Sequence, residues 1–196
     1  MDEPSLSSLD DDALIRRVAG SDRAAFTALL ERHWAPLYRY LGSLAKDPAA
    51  AEDALQEAFI SVWRSAAGFR GEAGGRTWLY TIARNALHRG RRRAPDQTEA
   101  LTSLDELGTA AGWGDQSSGD RVLAALEDRD RVRKAMRALS AEDNEVLLLV
   151  DVEELTAEEA SRALEISVAA LKSRLHRARL RLCAELGHGK EERDGG

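Results

Sequence analysis

The sequence predicts an all-α protein: two small helical domains joined by a flexible acidic linker. Three observations carry that prediction. Apolar residues recur at helical rather than alternating spacing along most of the chain. Ala, Leu, Arg and Glu are abundant, and only 4 of the 196 residues are Pro. Residues 94–120, APDQTEALTSLDELGTAAGWGDQSSGD, lose all periodicity and hold six acidic residues and no basic one.

The elements follow in order. Asp10 starts a first helix with Leu14, Ile15 and Val18 on one face, and Gly20 stops it. Asp22 caps a second, whose apolar series is Phe26, Leu29, Leu30, Trp34, Leu37, Tyr38, Leu41 and Leu44, bent at Pro36. Asp47-Pro48, a cap followed by Pro at the first helical position, opens a third helix to about residue 67. It buries Ala51, Ala54, Leu55, Ala58, Phe59 and Val62. A glycine-rich loop, Gly68 to Gly75, precedes a fourth helix from about Thr77 to Arg92. Beyond the linker, helices are expected near 120–139, 141–151, 156–164 and 168–186. Residues 1–9 and 187–196 read as disordered ends.

Net charge is −6, which argues against a polyanion partner until its distribution is followed. Residues 70–93 carry seven arginines against one glutamate, and residues 172–182 carry five basic residues and no acidic one. Two short basic stretches thus sit in an acidic background, each on a helix. One cysteine, Cys183, excludes a disulfide framework. The longest wholly apolar run, Val146 to Val150, is far short of the ~20 residues of a membrane span. The start, MDEPSLSSLDDD, is not a signal peptide, so a cytoplasmic protein without membrane insertion is expected. No nucleophile–base set or phosphate loop occurs, since FRGEAGG is followed by no Lys and preceded by no strand. No catalytic residue, cofactor or metal is expected.

Thr156-Ala157-Glu158-Glu159 has the form of a capping box, and Ser167 caps again after a break at Glu165-Ile166. A short helix, a tight turn and a longer basic helix make a helix-turn-helix. At about 100° per residue, Leu171, Leu175, Ala178, Leu182 and Leu186 form a buried stripe on the second of these helices. Lys172, Ser173, His176 and Arg177 lie opposite, where donors for base edges belong, and Arg174 and Arg181 flank them where phosphates would lie. On the fourth helix Leu79, Ile82, Ala83 and Ala86 cluster on one side and Thr81, Arg84, Asn85, His88 and Arg92 on the other. Trp78 and Tyr80 border the polar side, offering stacking surfaces beside cations, a combination suited to unpaired bases. On the third helix Asp53, Gln56, Glu57, Ile60 and Arg64 face away from the core, an acidic surface with one exposed Ile that suits a protein partner.

AEDALQEAFISVWR, GFRGEAGGRTWLYTIARN and LTAEEASRALEISVAALKSRLHRARLRL together resemble the extracytoplasmic-function (ECF) group of bacterial sigma factors. The resemblance covers about residues 10–93 and 120–186. It implies a region-2 bundle at 10–93, a linker at 94–120 and a region-4 helix-turn-helix at 121–186. It further implies binding to core RNA polymerase, through its beta and beta-prime subunits, with Asp53, Gln56, Glu57 and Ile60 on the clamp coiled coil. Phe69, Arg76, Trp78, Thr81, Arg84, Asn85 and His88 would capture the −10 element of promoter DNA. Lys172, Ser173, Arg174, His176, Arg177 and Arg181 would serve the −35 element, and an anti-sigma factor would restrain the protein. The alternative is a stand-alone helix-turn-helix regulator, which leaves the first domain unused. Departures from the group include Gly74-Gly75-Arg76 where an aromatic is frequent, Ser140 for Pro, Asn144 for Arg or Gln, Glu154 for Gly, and Ala169-Ala170 for Gly-Thr.

Overall fold

A computed structural model describes residues 5–45, 47–93, 131–132, 134–136 and 138–194, and every regular element among them is helical. The chain divides into two compact units. The first holds a 3₁₀ turn at Leu6–Ser8, α1 (Asp11–Ala19), α2 (Arg23–Leu44), α3 (Pro48–Ser65), a 3₁₀ turn at Ala66–Gly68, and α4 (Gly75–Arg93). The second holds α5 (Ala141–Leu147), a π-helical turn at Leu148–Val152, most of α6 (Ala157–Leu164), and α7 (Val168–Asp194). The expected linker, and the helix expected near 120–139 up to residue 130, lie outside the described residues; 131–132 and 134–136 are helical.

The cap residues account for the helix starts of the first unit. Asp10 accepts from the Ala13 amide at 2.7 Å, Asp22 from Ala24 and Ala25 at 2.9 and 3.0 Å, and Asp47 from Ala50 at 2.7 Å. Each such cap stabilises its helix by about 1 kcal/mol. Gly20 ends α1, but the left-handed residue is its neighbour Ser21, at φ 65°. α3 buries the six expected positions, Ala51, Ala54, Leu55, Ala58, Phe59 and Val62. α2 runs through Pro36 without a break. Three polar-edged side chains are buried here: Tyr40 and Tyr80 meet edge to face at 5.3 Å, and His33 puts Nε2 2.9 Å from the Asp11 carboxylate. Arg32 also reaches Asp11, at 2.8 Å, so that one acid on α1 holds two consecutive residues of α2.

Among the described residues, the buried apolar side chains of the second unit are all aliphatic: Ala135, Val146, Leu147, Leu148, Leu149, Leu155, Ala160, Leu171, Leu175 and Ala178. The capping box at Thr156 is complete. The Thr156 amide donates to Glu159 at 2.8 Å, and the Glu159 amide donates to the Thr156 hydroxyl at 3.2 Å. Between α6 and α7, Glu165 takes a left-handed φ of 56°, the Ile166 amide donates to the Ser161 carbonyl at 3.0 Å, and Ser167 caps Ala170 at 3.1 Å. That is a helix end closed by a left-handed residue, with the cap of a new helix two residues later.

Both expected disordered ends contain structure. Leu6–Ser8 form a 3₁₀ turn, tied down where Arg32 donates to the Ser7 carbonyl at 3.1 Å. α7 continues to Asp194 instead of ending near Leu186, since no Pro interrupts it and Lys190, Glu191, Glu192 and Arg193 are good helix formers. Within the expected 141–151 helix, the last turn is π-helical: the Glu153 amide donates to the Leu148 carbonyl at 2.8 Å.

Candidate protein and nucleic-acid interfaces

α3 turns its acidic side outward. Asp53, Gln56 and Ile60 are exposed, Ile60 at 44 %, and Glu57 is half-exposed. Glu57 lies 3.8 Å from Arg89 of α4, which also donates to the Ser61 hydroxyl at 3.3 Å. The outer surface of α3 is therefore linked to the helix that follows it. Trp63 and Trp34 border this face, packed on Phe26 and Phe59: Trp34 stacks on Phe59 at 6.0 Å, and Trp63 meets Phe26 at 5.2 Å. The face thus combines carboxylates with partly exposed apolar area, the composition of a protein contact rather than of a nucleic-acid one.

The loop between α3 and α4 brings two of the expected residues together. Phe69 and Trp78, both half-buried, pair with ring centroids 5.2 Å apart. Gly71 and Gly74 take left-handed φ of 76° and 78°, and the Gly74 amide donates to the Gly71 carbonyl at 3.2 Å. At the start of α4 the Gly75 amide donates to Asp12 of α1 at 2.5 Å. Further along α4, Thr81, Arg84, Asn85 and His88 are half-buried. The Thr81 hydroxyl donates to the Thr77 carbonyl at 2.8 Å, so its polar atom is already engaged by its own helix.

Tyr80 departs from the expected stacking role. It is fully buried against Tyr40, and what it presents is its ring to Arg76, whose guanidinium lies 5.9 Å above the centroid. The expected pair of aromatics on the polar side of α4 reduces to Trp78, with Phe69 from the loop as its actual neighbour.

On α7, Leu171, Leu175 and Ala178 are buried and Lys172, Ser173, His176 and Arg177 are exposed, as the spacing predicts. The flanking arginines have partners within the same unit. Arg174 is half-buried and 3.1 Å from Glu142 of α5, and Arg181 pairs with the buried carboxylate of Asp143. Arg179, on the other flank, makes a two-pronged pair with Asp151 of the π-helical turn, at 3.0 and 2.5 Å. That bond holds the Arg179 guanidinium above its ordinary pKa. The helix is thereby clamped on both sides, and the exposed face left between the clamps carries four donors. Leu180, 58 % exposed, lies on that face one turn beyond His176.

Two family descriptions match this chain: Sigma-70 region 2 over residues 29–95 and Sigma-70 region 4 over residues 129–182. The sequence is 31% identical over 190 residues to the ECF RNA polymerase sigma factor SigK of Mycobacterium tuberculosis, across 93% of this chain and 97% of that one. The chain is an ECF sigma factor. It is also 33% identical over 180 residues to SigM of M. tuberculosis, covering 91% of this chain and 85% of the relative. NccH of Alcaligenes xylosoxydans is 28% identical over 186 residues, covering 95% and 97%. Among solved structures, CnrH in its complex with the cytosolic domain of CnrY shares the fold, with a TM-score of 0.66 at 24% identity over 91% of this chain and 97% of that chain.

As an ECF sigma factor the protein directs transcription initiation. A free-standing helix-turn-helix regulator is not favoured, because the relatives align across both units. Among the described residues no helix is long and apolar enough to cross a membrane. Sequence reasoning missed the partners of Arg174, Arg179 and Arg181, which lie about thirty residues earlier in the chain. The acidic run at 141–151 was the available signal, since a cluster of carboxylates before a basic helix is a ready set of ion-pair partners.

Proposed function

We propose that this sigma factor binds core RNA polymerase through α3 and reads promoter DNA with α4 and α7. Residues 10–93 act as the region-2 domain, 94–120 as the linker and 121–186 as the region-4 domain. Asp53, Gln56, Glu57 and Ile60 dock on the beta-prime clamp. Phe69, Arg76, Trp78, Arg84, Asn85 and His88 capture unpaired bases of the −10 element, with Thr81 contributing surface rather than a free hydroxyl. Lys172, Ser173, His176 and Arg177 enter the major groove at the −35 element. Arg174 and Arg181 hold the helix in place and meet phosphates only from the edge of its face. The protein performs no chemistry of its own and works in the cytoplasm, where the template is. An anti-sigma factor restrains it, a reading supported by the solved complexes of similar fold with CnrY and NepR.

The observation that carries this reading is the segregation on α7: four donors exposed on one face while three arginines around them are held by Glu142, Asp143 and Asp151. A surface helix with no ligand has no need of such a clamp. The test is transcription in vitro by core polymerase plus this protein on a library of genomic fragments. Transcripts should start at a common distance from two shared sequence elements. Duplex promoter binding by the protein alone, as tight as in the presence of core enzyme, would overturn the proposal.

A further inference from the structure

α4 begins without a cap of its own. The residue before it is Gly74, which has no side chain to offer, yet the first amides of a helix need acceptors. The acceptor comes from 63 residues earlier. Asp12, on α1, takes the Gly75 amide on Oδ1 at 2.5 Å, while its Oδ2 lies 3.4 Å from Arg16. A carboxylate there also meets the positive end of the α4 dipole.

Close packing makes the contact possible. A Cβ on Gly75 would stand 2.8 Å from the Cβ of Asp11 and 2.9 Å from Cδ1 of Ile15, so no side chain fits at this position without driving α1 away. A Cβ on Gly71 would lie 3.2 Å from Asp12 Oδ2 and 3.3 Å from Arg16, so the same carboxylate lies against the loop's left-handed turn as well. One side chain of α1 therefore sets both the start of α4 and the course of the loop from Phe69 to Gly75.

We propose that Asp12 is a positioning residue for −10 capture: it fixes the loop bearing Phe69 and the helix bearing Trp78 and Asn85 before DNA arrives. This rests on the −10 reading given above. With the cap removed, the Gly75 amide loses its acceptor, and Gly71 and Gly74 are free to leave their left-handed turn, so ordering them becomes a cost of base capture.

The experiment uses full-length protein with core polymerase, and a non-template-strand oligonucleotide carrying the −10 element recovered in the transcription screen. Asp12→Ala should weaken binding of that strand about tenfold, the equivalent of one charge-assisted hydrogen bond. Asp12→Asn, which keeps a carbonyl acceptor, should recover most of the loss. Gly75→Ala, which forces α1 from α4, should reproduce it. Association with core enzyme and affinity for a −35 duplex should stay at wild-type level in all three variants. Wild-type oligonucleotide binding by Asp12→Ala would overturn the proposal, and so would a parallel loss of core association, which would mark Asp12 as a general fold contact. Asn85→Ala separates the two layers: if it weakens strand binding and Asp12→Ala does not, the positioning role alone falls. If neither variant weakens it, both the role and the −10 reading fall.

Discussion

The guanidinium of Arg181 closes over the carboxylate of Asp143, joining the middle of α7 to the first turn of α5. Asp143 is buried, with a side chain only 6% exposed, whereas Arg181 is 58% exposed. The pair therefore satisfies the acid more than the base, and Arg181 acts mainly as the inward anchor of its helix. Arg177 has the opposite setting, exposed on the face between the clamps. A library of −35 variants should separate them. Arg177→Ala should relax preference at particular base positions, at a cost of about 1–3 kcal/mol. Arg181→Ala should leave base preference intact and destabilise the second unit by about 1 kcal/mol in a urea titration, because it strands a buried carboxylate. A changed base preference in Arg181→Ala would mean that α7 is rotated relative to the groove.

Polymerase docking has a cleaner test site than Glu57. Glu57 lies near Arg89, so reversing its charge disturbs α4 as well as any partner. Asp53 is exposed on the same face. Asp53→Lys should weaken association with core polymerase by about tenfold, or 1.4 kcal/mol, with helical content and melting temperature unchanged. Undiminished recovery of core enzyme in a pull-down would remove α3 from the interface.

Acid should loosen α1 from α2. Burial raises the pKa of the Asp11 carboxyl, but hydrogen bonding and charge from His33, then Arg32, more than offset it, so the group sits below its ordinary value of 3.8. A carboxylate with a depressed folded pKa contributes stability above the unfolded value, and that contribution disappears as pH falls through the folded one. The wild-type protein should thus lose stability below about pH 4 more steeply than Asp11→Asn, whose substituted group no longer titrates. Parallel pH profiles for the two proteins would show that Asp11 contributes nothing to acid sensitivity.

Glu154 occupies a left-handed position, φ 53°, just after the π-helical turn, and its side chain is exposed. The strain of a β-carbon in that region is about 1–2 kcal/mol, against which Gly loses about 0.5–1 kcal/mol through its freer unfolded chain. Glu154→Gly should therefore stabilise the second unit by about 0.5–1 kcal/mol, raising its melting temperature by a few degrees. A lowered melting temperature would show that the Glu154 side chain makes a compensating contribution.

Local chemistry was legible in the sequence and distant pairing was not. Asp10, Asp22, Asp47-Pro48, the Thr156–Glu159 box and Ser167 announce their helices within four residues, and the structure uses each one. Helical spacing likewise located the buried face of α3 and the exposed face of α7, because a single helix sets both. Tyr80 was misplaced because its environment depends on Tyr40, which belongs to another helix. His33 escaped the apolar series of α2 for a related reason: its burial requires the Asp11 carboxylate. The flanking arginines of α7 pointed to phosphate on charge alone, and only the fold reveals that Glu142 and Asp143 reach them first. The shift of Asp12 onto Gly75 spans 63 residues and leaves no periodic trace at all.

The aliphatic core of the second unit has an optical consequence. No Phe, Trp or Tyr follows Trp113 in the sequence, so residues 131–194 contribute essentially nothing to near-ultraviolet absorbance or emission. Trp34, Trp63 and Trp78 all belong to the first unit, and Trp78 sits against Phe69 beside the loop assigned to base capture. Trp113 falls in the second unit, so once it is replaced intrinsic tryptophan fluorescence becomes a reporter built into one half of the molecule. With Trp34, Trp63 and Trp113 replaced by Phe, the remaining emission comes from Trp78, and its quenching would time the entry of unpaired bases without an attached dye. In that variant, unfolding followed by emission would report the first unit alone, while far-ultraviolet dichroism would report both. Two transitions in one sample could thus be assigned to their halves of the chain without cutting it.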